Sequence, residues 1–340
     1  MYFASDTSAP AHPAILAALA EANSGPAPSY GADPWTARAE TLLRETFETD
    51  DLDVWLVASG TAANALGLAA LCPAAQAILC HADAHIERDE RGAPEFFSGG
   101  KLSLLPGEHA KIDAGALKRR LDANRMDFVH ETPARVLSLS NLTEWGAAYR
   151  AEEVAELTGL AHAAGLSVHL DGARFANAVA AVDASAADMS WRAGVDVMSF
   201  GATKNGALGC EAIILFGAAR DRFAELKIRA KRGGHMPPKM RFLGAQMAAY
   251  LSGGLWLDLA RTANASARDL ARALLGGGAG LAHPVDGNEV FVNVPDVAAA
   301  RLRAAGAVFH DQFDGSRRLV CSWATSAAEI EAVAETLRQA

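Results

Sequence analysis

The chain has 340 residues, 51% of them hydrophobic, which is enough for about two domains of ~150 residues each and excludes intrinsic disorder. Thirty-one Lys and Arg against forty Asp and Glu give a net charge of −9 with no basic stripe, which argues against nucleic-acid binding through phosphates. No apolar run approaches the ~20 residues that span a bilayer, and Met1 to Pro10 lacks a basic-then-apolar leader pattern, so a soluble cytoplasmic protein is expected.

Asp53-Val-Trp-Leu-Val57 reads as a buried strand that runs into Ser59-Gly60-Thr61, where Gly60 is expected to permit a tight turn and Thr61 to open a helix through Leu71. Cys72, Cys80, Cys210 and Cys321 are scattered, with no C-x-x-C pair, so neither a zinc ribbon nor a disulfide framework is expected. A helix from Ala151 to Ala164, closed by Gly165, leads into a strand from Leu166 to Leu170 that ends at Asp171. Strands from Val195 to Phe200 and from Glu211 to Phe216 bracket the glycine-rich connection Gly201 to Gly206, short enough for antiparallel neighbours. Lys204 lies in that connection.

A helix from Leu255 to Leu275 stops at Gly276-Gly277-Gly278, a break that reads as a hinge. A strand from Glu289 to Val294, a helix from Asp296 to Ala305, two strands meeting at Asp314-Gly315 and a capping box of Ser326 and Glu329 follow. The alternation of apolar runs with amphipathic helices predicts an α/β fold. It divides into a large domain, residues 1–250, with a mostly parallel mixed sheet between helices, and a smaller C-terminal α/β domain, residues 251–340.

Three features gain meaning together: Asp171 at a strand end, Lys204 past a later strand, and Ser59-Gly60-Thr61 at a helix start. A lysine amine forms a Schiff base, a helix start receives a phosphate, and a carboxylate keeps a pyridine nitrogen protonated. These are the handles of pyridoxal 5'-phosphate. His81 and His85 are four positions apart, with Asp83 between them, and on a helix would share one face as a metal pair. No third ligand is evident, so no metal is expected. His169 alternates with the apolar residues of its strand and reads as a packed core histidine. Trp35, Trp145 and Trp323 offer walls for an aromatic aldehyde pocket or for core packing.

Ser5-Asp6-Thr7, Tyr30-Gly-Ala-Asp33, Ser59-Gly-Thr61, His169-Leu-Asp-Gly-Ala-Arg174 and Ser199-Phe-Gly-Ala-Thr-Lys-Asn205 together resemble the low-specificity L-threonine aldolases nearly end to end. The run from His81 to Glu95 is most similar to a bacterial branch with H-x-x-x-H-x-x-x-D-E-x-G-A-P-E. The resemblance implies a cofactor of pyridoxal 5'-phosphate held covalently by Lys204, with Asp171 on the ring nitrogen, Gly60 and Thr61 on the phosphate, and His85 stacked on the ring. It implies that Ser5, Arg174 and Arg318 hold the substrate carboxylate, and makes Arg241, in the basic segment from Lys231 to Arg241, a phosphate candidate. Many such enzymes carry a histidine where this chain has Glu144, so the catalytic base is open between Glu144 and His85.

The reaction so implied is cleavage of L-threonine, L-allo-threonine and related 3-hydroxy amino acids such as phenylserine to glycine and an aldehyde. A β-eliminating lyase or an aminotransferase is the enzymatic alternative, and a cofactor-binding regulator the non-enzymatic one, for which little chain is left to form a DNA-binding module. The family also implies a homodimer or homotetramer with sites at the dimer interface, acting on a small amino acid without nucleic-acid or membrane partners.

Overall fold

The computed structural model describes residues 1–338. Seven strands form the main sheet: β1 (Leu52–Val57), β2 (Ala77–His81), β3 (Lys101–Leu105), β4 (Ala134–Ser140), β5 (Ser167–Gly172), β6 (Val197–Gly201) and β7 (Glu211–Phe216). Their order is β1-β7-β6-β5-β4-β2-β3, with β7 antiparallel to both neighbours and every other pairing parallel. Six residues of β7 are buried in succession, which a fully covered central strand requires. The helix Gly60–Leu71 buries every residue from Ala62 to Ala70, and its small Ala and Gly side chains let it lie close against the sheet. Gly67 shows how close, because a Cβ there would stand 3.2 Å from Val197.

Ser59 Oγ accepts from the Ala62 backbone N–H at 3.3 Å, so Ser59 is the cap and the helix opens one residue before Thr61. Gly60 does not take a left-handed conformation, so the turn itself does not require glycine. Gly165, with φ +76°, terminates the helix Ala151–Ala163 as the sequence suggests.

A second sheet of four antiparallel strands comprises β8 (Gly280–Leu281), β9 (Glu289–Asn293), β10 (His310–Asp311) and β11 (Arg317–Val320), in the order β10-β11-β9-β8. Val290, Val292 and Leu319 form a separate apolar cluster with Leu270, Leu274 and the final helix Ala327–Arg338. Ser326 and Glu329 cap that helix reciprocally. The helix Leu255–Gly276 serves both cores. Trp256 and Ala260 pack with the large sheet, whereas Ala267 to Leu274 pack with the small one. Phe3 also belongs to the small cluster, because Phe3 N–H donates to Val308 O and Val320 N–H donates to Phe3 O. The N-terminal residues therefore cross the small sheet and deliver Ser5 to the seam between the two cores.

Candidate active site

Parallel strands end together, and the loops after β1, β2, β4, β5 and β6 meet at one edge of the large sheet. The register places Ser140 beside Asp171 and Asp171 beside Ser199. Two neighbouring cavities lie there, of about 580 and 240 Å3, and Lys204 and His85 line both. The smaller also contains Ser59, Gly60, Thr61, Asn64, Glu90, Asp171, Thr203 and Glu211. The larger contains Ser5, Glu144, Trp145, Arg174, Glu289, Phe313 and Arg318.

Lys204 sits in the short turn Thr203–Asn205. Asn205 anchors the turn from below, donating at 2.8 Å to both the Tyr250 hydroxyl and the Trp256 carbonyl. Asp171 accepts from Asn64 Nδ2 at 2.7 Å and from the Ala173 N–H at 2.9 Å. Burial raises its pKa, but His85, the Ala173 N–H and Lys204 outweigh burial and hold the carboxyl below the usual range. Asp171 is therefore ionised although it is buried. Beside Gly60 a Cβ would meet nothing within 4 Å, so there is open space in front of the helix start.

His85 Nδ1 lies 2.8 Å from Glu90 Oε1, which also accepts from Asn64 Nδ2 at 2.8 Å. Burial lowers the imidazole pKa, and the Glu90 bond and Asp171 charge more than reverse that. The chain His85–Glu90–Asn64–Asp171 thus links the two histidine and carboxylate positions that the sequence singled out, through two residues it did not. Glu90 stands within the H-x-x-x-H-x-x-x-D-E run, but its partner Asn64 carries no spacing signal.

Glu144 is half-buried after β4, where Oε1 accepts from the His85 backbone N–H at 2.8 Å and from Ser140 Oγ at 2.7 Å. Its Oε2 is buried without a partner. Burial is the largest cause pushing its pKa up to about 7, although both hydrogen bonds oppose it. Glu211 is a second buried acid at about 7, raised by burial, with the Ala202 N–H at 3.1 Å. Sequence reading missed it, since it opens an apolar strand with no motif around it.

At the seam, Arg174 donates to Asp6 through Nε at 2.7 Å and Nη2 at 3.2 Å. Arg318 comes from β11 and Ser5 from the N-terminal segment, so three distant parts of the chain converge. Arg241 is not among them. It opens the helix Arg241–Leu251, donates Nη1 to Gly25 O at 2.9 Å and lies over the Trp35 and Phe242 rings.

His81 ends β2 while the helical turn begins at His85, so the two do not share a helix face. The His81 ring instead meets Gly107 O at 3.2 Å and accepts the Asp83 N–H at 3.0 Å. His169 is packed in the core, as its alternation predicts, between Ser138 Oγ at 3.0 Å and Ser199 Oγ at 3.2 Å. Of the three tryptophans, only Trp145 lines the larger cavity, stacked on His283 and bonded to Asp83.

The sequence profile of the beta-eliminating lyase family matches residues 2–297. Over 339 residues the chain is 42% identical to a low specificity L-threonine aldolase of Pseudomonas aeruginosa, covering 99% of this chain and 96% of the relative. A low specificity L-threonine aldolase of a Pseudomonas species is 38% identical over the same shares. The solved threonine aldolase of Leishmania major superposes with a TM-score of 0.93 at 28% identity, covering 99% and 98% of the two chains. Serine palmitoyltransferase of Sphingomonas wittichii, at 15% identity and a TM-score of 0.72 over 100% of this chain and 86% of that one, shares the fold.

Proposed function

The chain belongs to the low-specificity L-threonine aldolases, within the beta-eliminating lyase family, and from that premise we propose that it cleaves L-threonine and L-allo-threonine to glycine and acetaldehyde in the cavities around Lys204. Phenylserine and related 3-hydroxy amino acids fall within the same substrate class. The observation that carries the reading is the convergence of Lys204, the ionised Asp171 and the arginine pair on one edge of the sheet, with Glu144 facing the space between.

The cofactor is pyridoxal 5'-phosphate, and the residues fit it. Asp171 offers a buried carboxylate to the ring nitrogen, the open space beside Gly60 receives a phosphate at the helix start with Thr61, and Lys204 stands between the two cavities to hold the aldehyde carbon. When bound, the ring supplies a sink for the electrons left on Cα as a bond there breaks. Every other task falls to the chain. His85 offers an imidazole face to the ring, held in orientation by Glu90. Ser5, Arg174 and Arg318 hold the substrate carboxylate, and by fixing it they decide that the Cα–Cβ bond is the one aligned for cleavage.

Glu144 takes the β-hydroxyl proton. Its Oε2 is free, and a carboxyl near 7 is matched to proton transfer at neutral pH. A second reading gives this task to His85, because Glu90 occupies only Nδ1 and leaves Nε2 for the cavity. Incubation with L-threonine and pyridoxal 5'-phosphate should yield glycine and acetaldehyde in equal amounts. Release of 2-oxobutanoate and ammonia would make the enzyme an eliminating lyase, and a requirement for a keto acid would make it an aminotransferase.

A homodimer or homotetramer is part of the same reading. Arg241 is held away from its own protomer's cavities, so any contact it makes with a phosphate reaches across to a partner's site. A cytoplasmic location is supported by four cysteines that are all buried and unpaired, and among the described residues no helix is long and apolar enough to cross a membrane.

A further inference from the structure

Glu289 opens β9 at the seam between the two cores, is fully buried, and neither carboxylate oxygen has a hydrogen-bond partner. It lines the cavity that holds Ser5, Arg174 and Arg318. Arg174 Nη2 is 3.4 Å from Glu289 Oε1, but that guanidinium is already committed to Asp6 by two shorter bonds. Asn288 Nδ2 adds a third bond to Asp6 at 3.0 Å. The β9–β11 register pairs Glu289 with Val320 and Phe291 with Arg318, which makes Glu289 and Arg318 diagonal neighbours on one face of the small sheet. Arg318 Nε is buried and also lacks a partner.

Two acids and two guanidinium groups therefore balance before any substrate enters, and Lys204, whose charge both acids feel, is given to the cofactor under the proposed function. A substrate carboxylate adds a negative charge beside these two buried acids, where closely spaced carboxylates do not all ionise at low cost. Asp6 is not the one to take a proton. Burial raises its pKa, but the charges of Arg174 and Lys204 and the hydrogen bonds from Arg174 and Asn288 outweigh that and hold it below the usual carboxylate range. Glu289 has no such bonds. Burial keeps its carboxyl above the usual range in spite of Arg174 and Arg318, and Asp6 adds repulsion.

We propose that Glu289 is a proton-holding positioning residue: neutral, it donates its hydroxyl to the substrate carboxylate, and ionised, it holds the Arg174 and Arg318 guanidinium groups and keeps that carboxylate out. The inference rests on the carboxylate seat given under the proposed function. No covalent bond to carbon changes, and one proton passes from solvent to Glu289 as the carboxylate enters.

The pH dependence of KM for L-threonine tests it in the wild-type holoenzyme and in Glu289→Gln, which keeps a hydrogen-bond donor and cannot titrate. The wild-type KM should climb by up to about tenfold per pH unit above the titration of Glu289, and Glu289→Gln should lose that component of the climb. Calorimetric titration of glycine in buffers of different ionisation enthalpy should then show about one more proton taken up by the wild type than by the variant. Equal proton counts, or a KM profile equally steep in both enzymes, overturn the proposal. Should Glu289→Gln not fold, a wild-type proton count that stays constant across the pH range overturns it as well. Arg318→Gln separates the two levels: an unchanged KM in that variant strikes down the carboxylate seat itself, whereas a raised KM beside an unaltered Glu289→Gln profile removes only the role of Glu289.

Discussion

The backbone N–H of His85 donates to Glu144 Oε1 at 2.8 Å, so the loop after β2 and the loop after β4 are fastened at a buried carboxylate. The bond occupies Oε1 while Oε2 has no hydrogen-bond partner, which leaves one oxygen for the proton transfer proposed for Glu144. Glu144→Gln keeps an acceptor for the His85 N–H while removing the base. We expect kcat for L-threonine to fall by about 10² to 10⁴-fold. In the wild type the base must be deprotonated, so kcat should rise with pH through about 7 and lose that limb in the variant. Full activity with an unaltered pH profile in Glu144→Gln would transfer the role to His85.

Lys204 lines both cavities, as do His85 and Thr7, and it is the lysine placed between the helix start at Gly60 and the arginine pair. Borohydride reduction of the holoenzyme should trap the cofactor on the peptide containing Lys204, and Lys204→Ala should lose the adduct. An adduct mapped to Lys231 or Lys239 would show that the site has been assigned to the wrong lysine.

Asp171→Asn should reduce turnover by several orders of magnitude without unfolding the protein. An asparagine oxygen can still accept from Ala173, but a neutral amide does not stabilise a protonated ring nitrogen. Circular dichroism and cofactor absorbance establish that the variant is folded and loaded. Near-normal turnover in such a preparation would exclude the proposed role of Asp171.

Local signals reached the catalytic edge but not its buried wiring. The strands β1, β5, β6 and β7 were legible because each is a short, mostly apolar run with a Gly or Asp at or beside its end. β2 escaped because Ala77-Ile-Leu-Cys-His81 is a five-residue run that periodicity cannot separate from a helix segment, and β3 is a half-exposed edge strand. Lys204, Asp171 and Arg174 announced themselves through motif and position. Asp6 is paired with a residue 168 positions away, and Glu289 faces an arginine delivered by another strand, so neither relationship has any signature in spacing. At Gly60 the turn is not what favours glycine, because its backbone is ordinary; the space beside it is empty, which is what the proposed phosphate seat uses.

His169 gives a prediction about stability. Burial lowers its pKa to about 4, with Asp171 pulling weakly the other way. Between about pH 6.5 and 4 the unfolded chain binds a proton that the folded chain refuses, so this group makes stability fall as pH falls through that window. The shift corresponds to a few kcal/mol at most, about 1.4 kcal/mol per pH unit. Denaturant titrations of wild type and His169→Gln across the window should converge toward low pH, the variant lacking this part of the acid sensitivity. Parallel curves would mean that His169 is protonated in the fold.

Stereochemical choice should be strict at Cα and loose at Cβ. Arg174 is held by two bonds to Asp6, which is itself held by Asn288, so the carboxylate seat proposed for it is braced on the protein side and should set the configuration accepted. The β-substituent, by contrast, faces the larger cavity of about 580 Å3 between Glu144, Trp145 and Phe313, where the hydroxyl can be reached in either orientation. L-Threonine and L-allo-threonine should therefore be cleaved at rates within about tenfold of each other, a difference of about 1.4 kcal/mol in transition-state energy. D-Threonine should not be turned over. Glycine and acetaldehyde assays on the three isomers decide the matter: comparable turnover of D-threonine would show that Arg174 and Arg318 do not fix Cα, and rejection of either L-isomer would show that Glu144 addresses a single hydroxyl position.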